Sequence, residues 1–319
     1  MEKEDETLVV VGFGWVGQAN ALAFSRAGYN VSYFDIQEPK LHYTDRYKAD
    51  YAAIKRLPSV LAADGKNTWY VVCVGDRVTD DGEQDISAIT KALDSLRGAQ
   101  GGVILRSTVL PGKLASLPFH YYVPEFLHEK KAVEECMKPQ YFVVGSRDIL
   151  DYSPSFFMKW HEAANKSFFG TPEEAAYIKY LSNTWNALRI AFVNEFGNAI
   201  ALPTSQGNIA QVERVINFMF EEKSYVRYGR SYGGHCLPKD THAFTTWFRK
   251  QGRPLSVLEG AHVSNLEHKK LEANAPNLRE WFSEWVRPPM SGRAALHALN
   301  AAVWRKAGEI IGKPFRRNS

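Results

Sequence analysis

Short apolar runs alternate with stretches of helical periodicity through the first half of this chain. Leu8 to Val11 is a run of the length and branching expected of a buried strand, and Ala19 to Ala27 reads as a helix closed by Gly28. The stretch NVSYFD is a second strand ending at Asp35, TWYVVCVG a third, and DISAITKALDSL a helix capped near Asp85. GGVILRSTVLPG is a strand leaving into a Ser-Thr turn, and QYFVVGS is another strand. Alternation of this kind predicts a parallel, doubly wound α/β sheet of the Rossmann-like type.

The second half loses the strand pattern. Thr171 is placed to cap a helix with Pro172 at its first position and Glu173 and Glu174 in its first turn, and apolar residues then recur at helical spacing to about Leu202. Further helices are expected over GNIAQVERVINFMF, from SVLEG to REWFSEWV, and, after a break at RPPMSG, over AALHALNAAVWRKAGEII. The expected division is a sheet domain at 1–169, an all-helical domain with a long central helix at 170–275, and a helical extension at 276–319.

Composition narrows the class. With 319 residues, 45% hydrophobic and 23% charged, the chain can bury a large core without a disulfide framework. Its three cysteines, Cys73, Cys136 and Cys236, are far apart and show no metal-type spacing, so no metal is expected and a reducing, cytoplasmic setting is. The acidic start does not read as a signal peptide, and no apolar run is long enough to span a membrane. The net charge of +4 owes much to the segment WRKAGEIIGKPFRRNS, which reads as a solvated basic terminus rather than a nucleic-acid arm.

Candidate chemistry begins at Gly12, Gly14 and Gly17, in G-x-G-x-x-G spacing between a strand and a helix, with Asp35 ending the next strand. The glycines allow a tight turn, close approach of a pyrophosphate and close helix–strand packing. Asp35 suits the hydroxyls of an adenosine ribose and repels a 2′-phosphate, so NAD is the expected cofactor; Lys40, just beyond, either flanks the adenosine end or is a surface lysine. Gly75, Ser107 and Thr108 end strands and should face the same cleft. Lys179 and Asn183, four apart on the long helix, either form a donor pair or belong to an exposed polar stripe. Cys236 lies in RYGRSYGGHCLPKD, ringed by Arg227, Arg230, His235 and Lys239, cations expected to lower its thiol pKa.

VVGFGWVG, STVLPG, PEFLHE, IKYLSNTWNALRIAFVNEF and YGGHCLPKD occur in that order, and together they resemble the nucleotide-sugar 6-dehydrogenases, the UDP-glucose and GDP-mannose dehydrogenase family. The resemblance covers Leu8 to about Lys270. It implies oxidation of a sugar primary alcohol to the carboxylate with two NAD per turnover. Cys236 would trap the aldehyde as a thiohemiacetal and then carry the acyl group as a thioester. Lys179 and Asn183 would stabilise the oxyanion, Asp240 and Thr108 would orient water, and Glu125 would be a second base. Phe13, Trp15, Val16, Val74, Glu129 and Lys239 would line the cofactor, and Phe126, Leu127, Arg227, Tyr232 and Gly233 the substrate, a nucleotide sugar. The long helix would form a homodimer.

The chain departs from the family at Gly75-Asp76-Arg77, where Pro-Thr-Pro is usual, at Val123, where Asn is usual, and at Ala176, where Glu is usual. Beyond about Lys270 no counterpart of the family's third domain is recognisable, so a short form of the family is expected. Two other readings stay open on sequence: a two-electron hydroxyacid dehydrogenase using Lys179, and an NAD-binding protein without catalysis.

Overall fold

A computed structural model describes residues 6–128, 131–148, 152–202, 209–220 and 226–272. The expected helices beyond Glu272 therefore lie outside the described residues, as does Glu129.

The strands are β1 (Thr7–Val11), β2 (Asn30–Phe34), β3 (Lys55–Arg56), β4 (Thr68–Val72), β5 (Arg77–Val78), β6 (Gln84–Asp85), β7 (Gly102–Leu105), β8 (Tyr121–Tyr122), β9 (Tyr141–Gly145) and β10 (Lys166–Gly170). Eight of them form one sheet in the order β10-β9-β8-β7-β4-β1-β2-β3, parallel throughout except where β8 meets β9, and β5 and β6 make a separate antiparallel hairpin. The chain order reverses between β1 and β4, the switch point at which open α/β sheets bind ligands.

Alternation along β1 explains why the sheet is buried on both faces. Leu8 and Val10 join Trp69, Val71 and Phe24 in one core, while Val9 and Val11 join Tyr70, Val72, Ile89 and Leu93 in the other. The helices that cover these faces are α1 (Trp15–Arg26), the short α2 (Thr44–Tyr47), α3 (Ser87–Asp94), the short α4 (Pro111–Leu114), α5 (Ala132–Met137) and α6 (Phe156–Ala163). The sequence pattern located α1 and α3 but not β8, β10 or α6. The two-residue β8 has no period to read, and in α6 Phe156, Phe157 and Trp160 turn inward together.

The remaining helices are α7 (Pro172–Ile200), α8 (Ile209–Phe220), α9 (Cys236–Lys250) and α10 (Ser256–Glu272). α7 begins in a reciprocal cap. The Glu174 N–H donates to Thr171 Oγ1 at 3.2 Å and the Thr171 N–H to Glu174 Oε2 at 2.8 Å. Its first turns then join the sheet core through Ala175 and Ala176, both 0% exposed. A glutamate at Ala176 would bury a charge in this core.

The chain divides into two compact units, Met1–Ala191 with Gly233–Ser264, and Phe192–Tyr232 with the residues from Asn265 onward. The division runs through α7 instead of before it, unlike the expected boundary at 169/170. The N-terminal part of α7 and all of α9 are tied to the sheet, whereas Val193 packs with Val212, Ile216, Val226 and Tyr228 in the second unit. That unit is also held by polar bonds. Asn265 Nδ2 donates to Tyr232 O at 3.1 Å, and Asn194 Nδ2 donates to Arg230 O at 2.9 Å.

Gly17 is the tightest point of the β1–α1 turn, since a Cβ there would lie 2.0 Å from Gly12 O. Gly17→Ala is expected to destabilise the protein by about 1–3 kcal/mol through overpacking, read as a lower urea midpoint at unchanged m-value.

Candidate active site

The carboxyl edge of the sheet gathers four loops: Gly12–Gly14 after β1, Cys73–Asp76 after β4, Arg106–Thr108 after β7 and Val123–Glu125 after β8. The parallel pairing of β1, β4, β7 and β8 brings them to one side.

The first loop fits a dinucleotide. Gly12 sits at φ +87°, in the left-handed region that a side chain resists, and a Cβ there would press on Val74. Gly14, at the start of α1, has open space where a side chain would be, and the first turn of α1 carries no acidic residue. Ser107 is buried, and Val74, Thr108 and Asp35 are partly so, while Gly75, Trp15 and Lys40 are exposed. Asp35 takes the Phe13 N–H on Oδ2 at 2.7 Å and the Gln37 N–H on Oδ1 at 2.8 Å, and a carboxylate has further lone pairs for ribose hydroxyls. The expected cofactor contacts are refined at three positions. The Phe13 ring turns inward and stacks on Tyr33 with centroids 3.7 Å apart, which leaves only its backbone near the loop. Trp15 stacks on His42, and Val16 packs against the core.

Lys179 and Asn183 project from α7 into the interior instead of forming an exposed stripe. Lys179 Nζ donates to Glu125 Oε1 at 3.4 Å, and both side chains are buried. Glu125 Oε2 accepts the Leu127 N–H at 2.7 Å, and the Lys179 ammonium also lies over the Phe126 ring. Burial alone would raise the Glu125 carboxyl, but Lys179, the Leu127 N–H and Arg106 outweigh it and hold it below the usual carboxylate range. Burial likewise works against the Lys179 ammonium, yet Glu125, Cys236 and Asp240 together hold its pKa above the ordinary lysine value. Lys179 is therefore a cation at neutral pH, an acid and hydrogen-bond donor instead of a base.

Gly234, at φ +71°, turns the chain into α9, whose first residue is Cys236. Asp240 follows one turn later, 1% exposed. Its Oδ2 accepts Asn183 Nδ2 at 2.6 Å, and its Oδ1 accepts Lys239 Nζ at 2.7 Å. Lys239 also donates to Asp76 Oδ1 and Oδ2 at 2.7 and 2.9 Å. Lys239 is thus engaged by two carboxylates. Sequence reasoning missed Asp76, Gln84 and Tyr180. Gln84 Nε2 donates to Asp76 Oδ2 at 2.7 Å, to Thr108 O at 3.1 Å and to Tyr180 Oη at 3.3 Å. The one signal available was Asp76 itself, a charge at a position where the family pattern has none.

The pairing of the lysines corrects the expectation for Cys236. The residue is exposed and reachable, yet crowded by protein. Desolvation pushes its thiol up, to about 11, with Glu125 and Asp240 adding to the rise and Lys179 and Lys239 opposing it. The two lysines cannot lower it further because carboxylates already neutralise them. Its position at the N-terminus of α9 acts in the opposite direction, favouring thiolate. Cys73 and Cys136 are buried, and desolvation pushes both thiols far above the ordinary range, while burial also keeps reagents from them. Arg227 is half-buried in the second unit, and Tyr232, 2% exposed, lies in the interior of that unit. Gly233 opens the segment that returns to the first unit.

Residues 173–267 match the UDP-glucose/GDP-mannose dehydrogenase family, central domain. The chain is 27% identical over 291 residues to the UDP-glucose 6-dehydrogenase of Campylobacter jejuni, covering 82% of this chain and 72% of that protein. It is 26% identical over 280 residues to the GDP-mannose 6-dehydrogenase of Pseudomonas putida, covering 74% of this chain and 62% of that one. The fold is shared with a UDP-glucose dehydrogenase from Pyrobaculum islandicum at a TM-score of 0.69 and 24% identity, over 84% of this chain and 68% of that one.

The thiol chemistry sets a pH test. The rate of Cys236 modification by iodoacetamide should climb about tenfold per pH unit and keep climbing past about pH 9, because thiolate remains the minor form; a plateau near about 8.5 would mark an unperturbed thiol instead.

Proposed function

We propose, from the match of residues 173–267 to the UDP-glucose/GDP-mannose dehydrogenase family and the similarity to its named members, that this chain is a family member that oxidises the primary alcohol of a nucleotide sugar to a carboxylate, through a covalent adduct on Cys236. The observation that carries this reading is the joint placement of the reachable Cys236 and the buried Lys179, Asn183, Asp240 and Glu125 in one unit.

The cofactor would be held by the Gly12–Gly17 turn, Asp35, Val74, Gly75, Ser107 and Thr108. NAD is favoured because the Asp35 carboxylate, with Glu38 just beyond the end of β2, repels a 2′-phosphate, and Arg56 spends its donors on Glu38 and on the Asp35 and Gln37 carbonyls. Bound there, NAD supplies the two-electron acceptor for each of two hydride removals.

The protein's own groups do the rest. Cys236 Sγ would bond to the aldehyde carbon as the C=O π bond breaks, negative charge develops on the oxygen facing the Lys179 ammonium, and the thiol proton passes to that oxygen to give the thiohemiacetal. Asn183, fixed by its bond to Asp240, supplies a second dipole. Oxidation of this thiohemiacetal leaves an acyl thioester, and water attacks its carbon as Glu125 takes the proton; the C–S bond breaks and the thiol is restored. A protonated Lys179 gives no support to a reading in which that lysine acts as base.

α7 also carries exposed Tyr177, Leu181, Trp185, Phe192 and Phe196 at helical spacing, which supports a homodimer formed through this helix. Among the described residues no helix is long and apolar enough to cross a membrane.

The activity test supplies NAD with UDP- and GDP-sugars and free sugars separately. Two NADH per acid formed is expected, with Cys236→Ser lowering turnover by at least roughly a thousandfold; one NADH per product, or a fully active Cys236→Ser, would falsify the covalent route. Trp185→Glu should halve the mass seen by sedimentation equilibrium while leaving circular dichroism unchanged, and an unaltered mass removes α7 from the interface.

A further inference from the structure

Asp76 has no role in the chemistry above, yet it is 7% exposed and bonded to the buried Gln84 and the partly buried Lys239. It sits just after β4, at the sheet edge, while its partner Lys239 is on α9, separated from it by 163 residues. The Lys239 ammonium contacts both Asp76 and Asp240 at 2.7 Å, so it bridges two carboxylates, and Asp240 in turn receives the Asn183 amide. On the other side Gln84 ties Asp76 to the Thr108 carbonyl, and its own Oε1 accepts the Leu110 N–H at 2.9 Å. A continuous chain of hydrogen bonds therefore runs Thr108–Gln84–Asp76–Lys239–Asp240–Asn183.

We propose that Asp76 is a positioning residue: its carboxylate holds Lys239 against Asp240, and thereby fixes the Asn183 amide and the first turn of α9 that carries Cys236. Without Asp76, Lys239 would keep one carboxylate partner and gain a freely rotating ammonium within electrostatic reach of the thiol. Asp240 would lose the rigid donor that sets its orientation, and Asn183 would lose its fixed acceptor. Asp76 also offsets the positive charge of Lys239, so this lysine is not an open phosphate-binding cation. The charged groups facing Cys236 are Glu125 and Lys179, from the β8 loop and α7, and Asp240 and Lys239 from α9 itself. Asp76 acts on the thiol only through the last of these.

The proposal rests on the active-site reading above, but its test does not need a sugar substrate. Iodoacetamide modification of Cys236 is followed against pH in wild type, Asp76→Asn and Asp76→Glu. Asp76→Asn should move the profile to lower pH and speed modification near pH 8 about threefold or more, because one compensating negative charge is gone. Asp76→Glu, which keeps the charge, should return the profile to that of wild type. In a Lys239→Met background Asp76→Asn should add no further shift. With a working nucleotide sugar, Asp76→Asn should also lower kcat by roughly tenfold while KM stays within about twofold. A more reactive thiol paired with slower turnover is an outcome that simple loss of folding does not produce. An Asp76→Asn profile that superimposes on wild type, an equal shift in the Lys239→Met background, or an unchanged kcat overturns the proposal. If Asp76→Asn melts early, Asp76→Thr takes its place under the same criteria. Failure of every sugar to reduce NAD would remove the proposed activity and leave the modification profiles to decide the role of Asp76.

Discussion

A single ammonium group, Lys239 Nζ, lies between the carboxylate of its neighbour Asp240 on α9 and that of Asp76, 163 residues away at the sheet edge. Three charges removed from water carry a desolvation cost that only close, well-oriented contacts offset, and removing any one partner leaves the others exposed to that cost. The bridge therefore specifies one position for the start of α9 relative to the sheet edge. Cys236 and Asp240 ride on that helix, so their register against Lys179 and Asn183 follows from it. The second fastening is apolar: Tyr180 of α7 stacks on Phe244 of α9 with centroids 5.0 Å apart. The polar bridge sets direction and the aromatic pair sets distance.

Neutralising both lysines has a chemical consequence. A thiol beside two free cations would be a standing thiolate, open to oxidation and alkylation at rest. Here the lysines are engaged by Glu125, Asp76 and Asp240, and the thiol stays protonated in the free protein. In the proposed reaction its nucleophilicity would be called on only when an electrophilic carbonyl is present and developing negative charge can move from sulfur to an oxygen facing Lys179. The same arrangement keeps Lys179 charged, which suits it to stabilise an anion and disqualifies it as a proton acceptor.

Much of this was legible in the chain. The β1–α1 turn could be read because glycine spacing reports backbone conformation directly, and the structure puts Gly12 at a positive φ and Gly17 against Gly12 O. The α7 N-terminus could be read because Thr171 and Glu174 act within one turn. The strands β1, β2, β4, β7 and β9 announced themselves as apolar runs. β8 did not, being two residues held by its neighbours on either side. Asp76 could be noticed as an oddity but not interpreted, since its meaning depends on a lysine far along the chain.

Sequence alone determined the local matters: which segments bend, cap and alternate, and which residue types were available for nucleotide binding and thiol chemistry. These follow from interactions between residues a few positions apart, which a linear pattern preserves. Tertiary structure decided the charge state of Cys236, the pairing of Lys179 with Glu125 and of Lys239 with Asp76, and the inward turn of Phe13. Those depend on which distant groups share a poorly hydrated space, and electrostatic energy there varies with separation and solvent exposure that no spacing along the chain encodes.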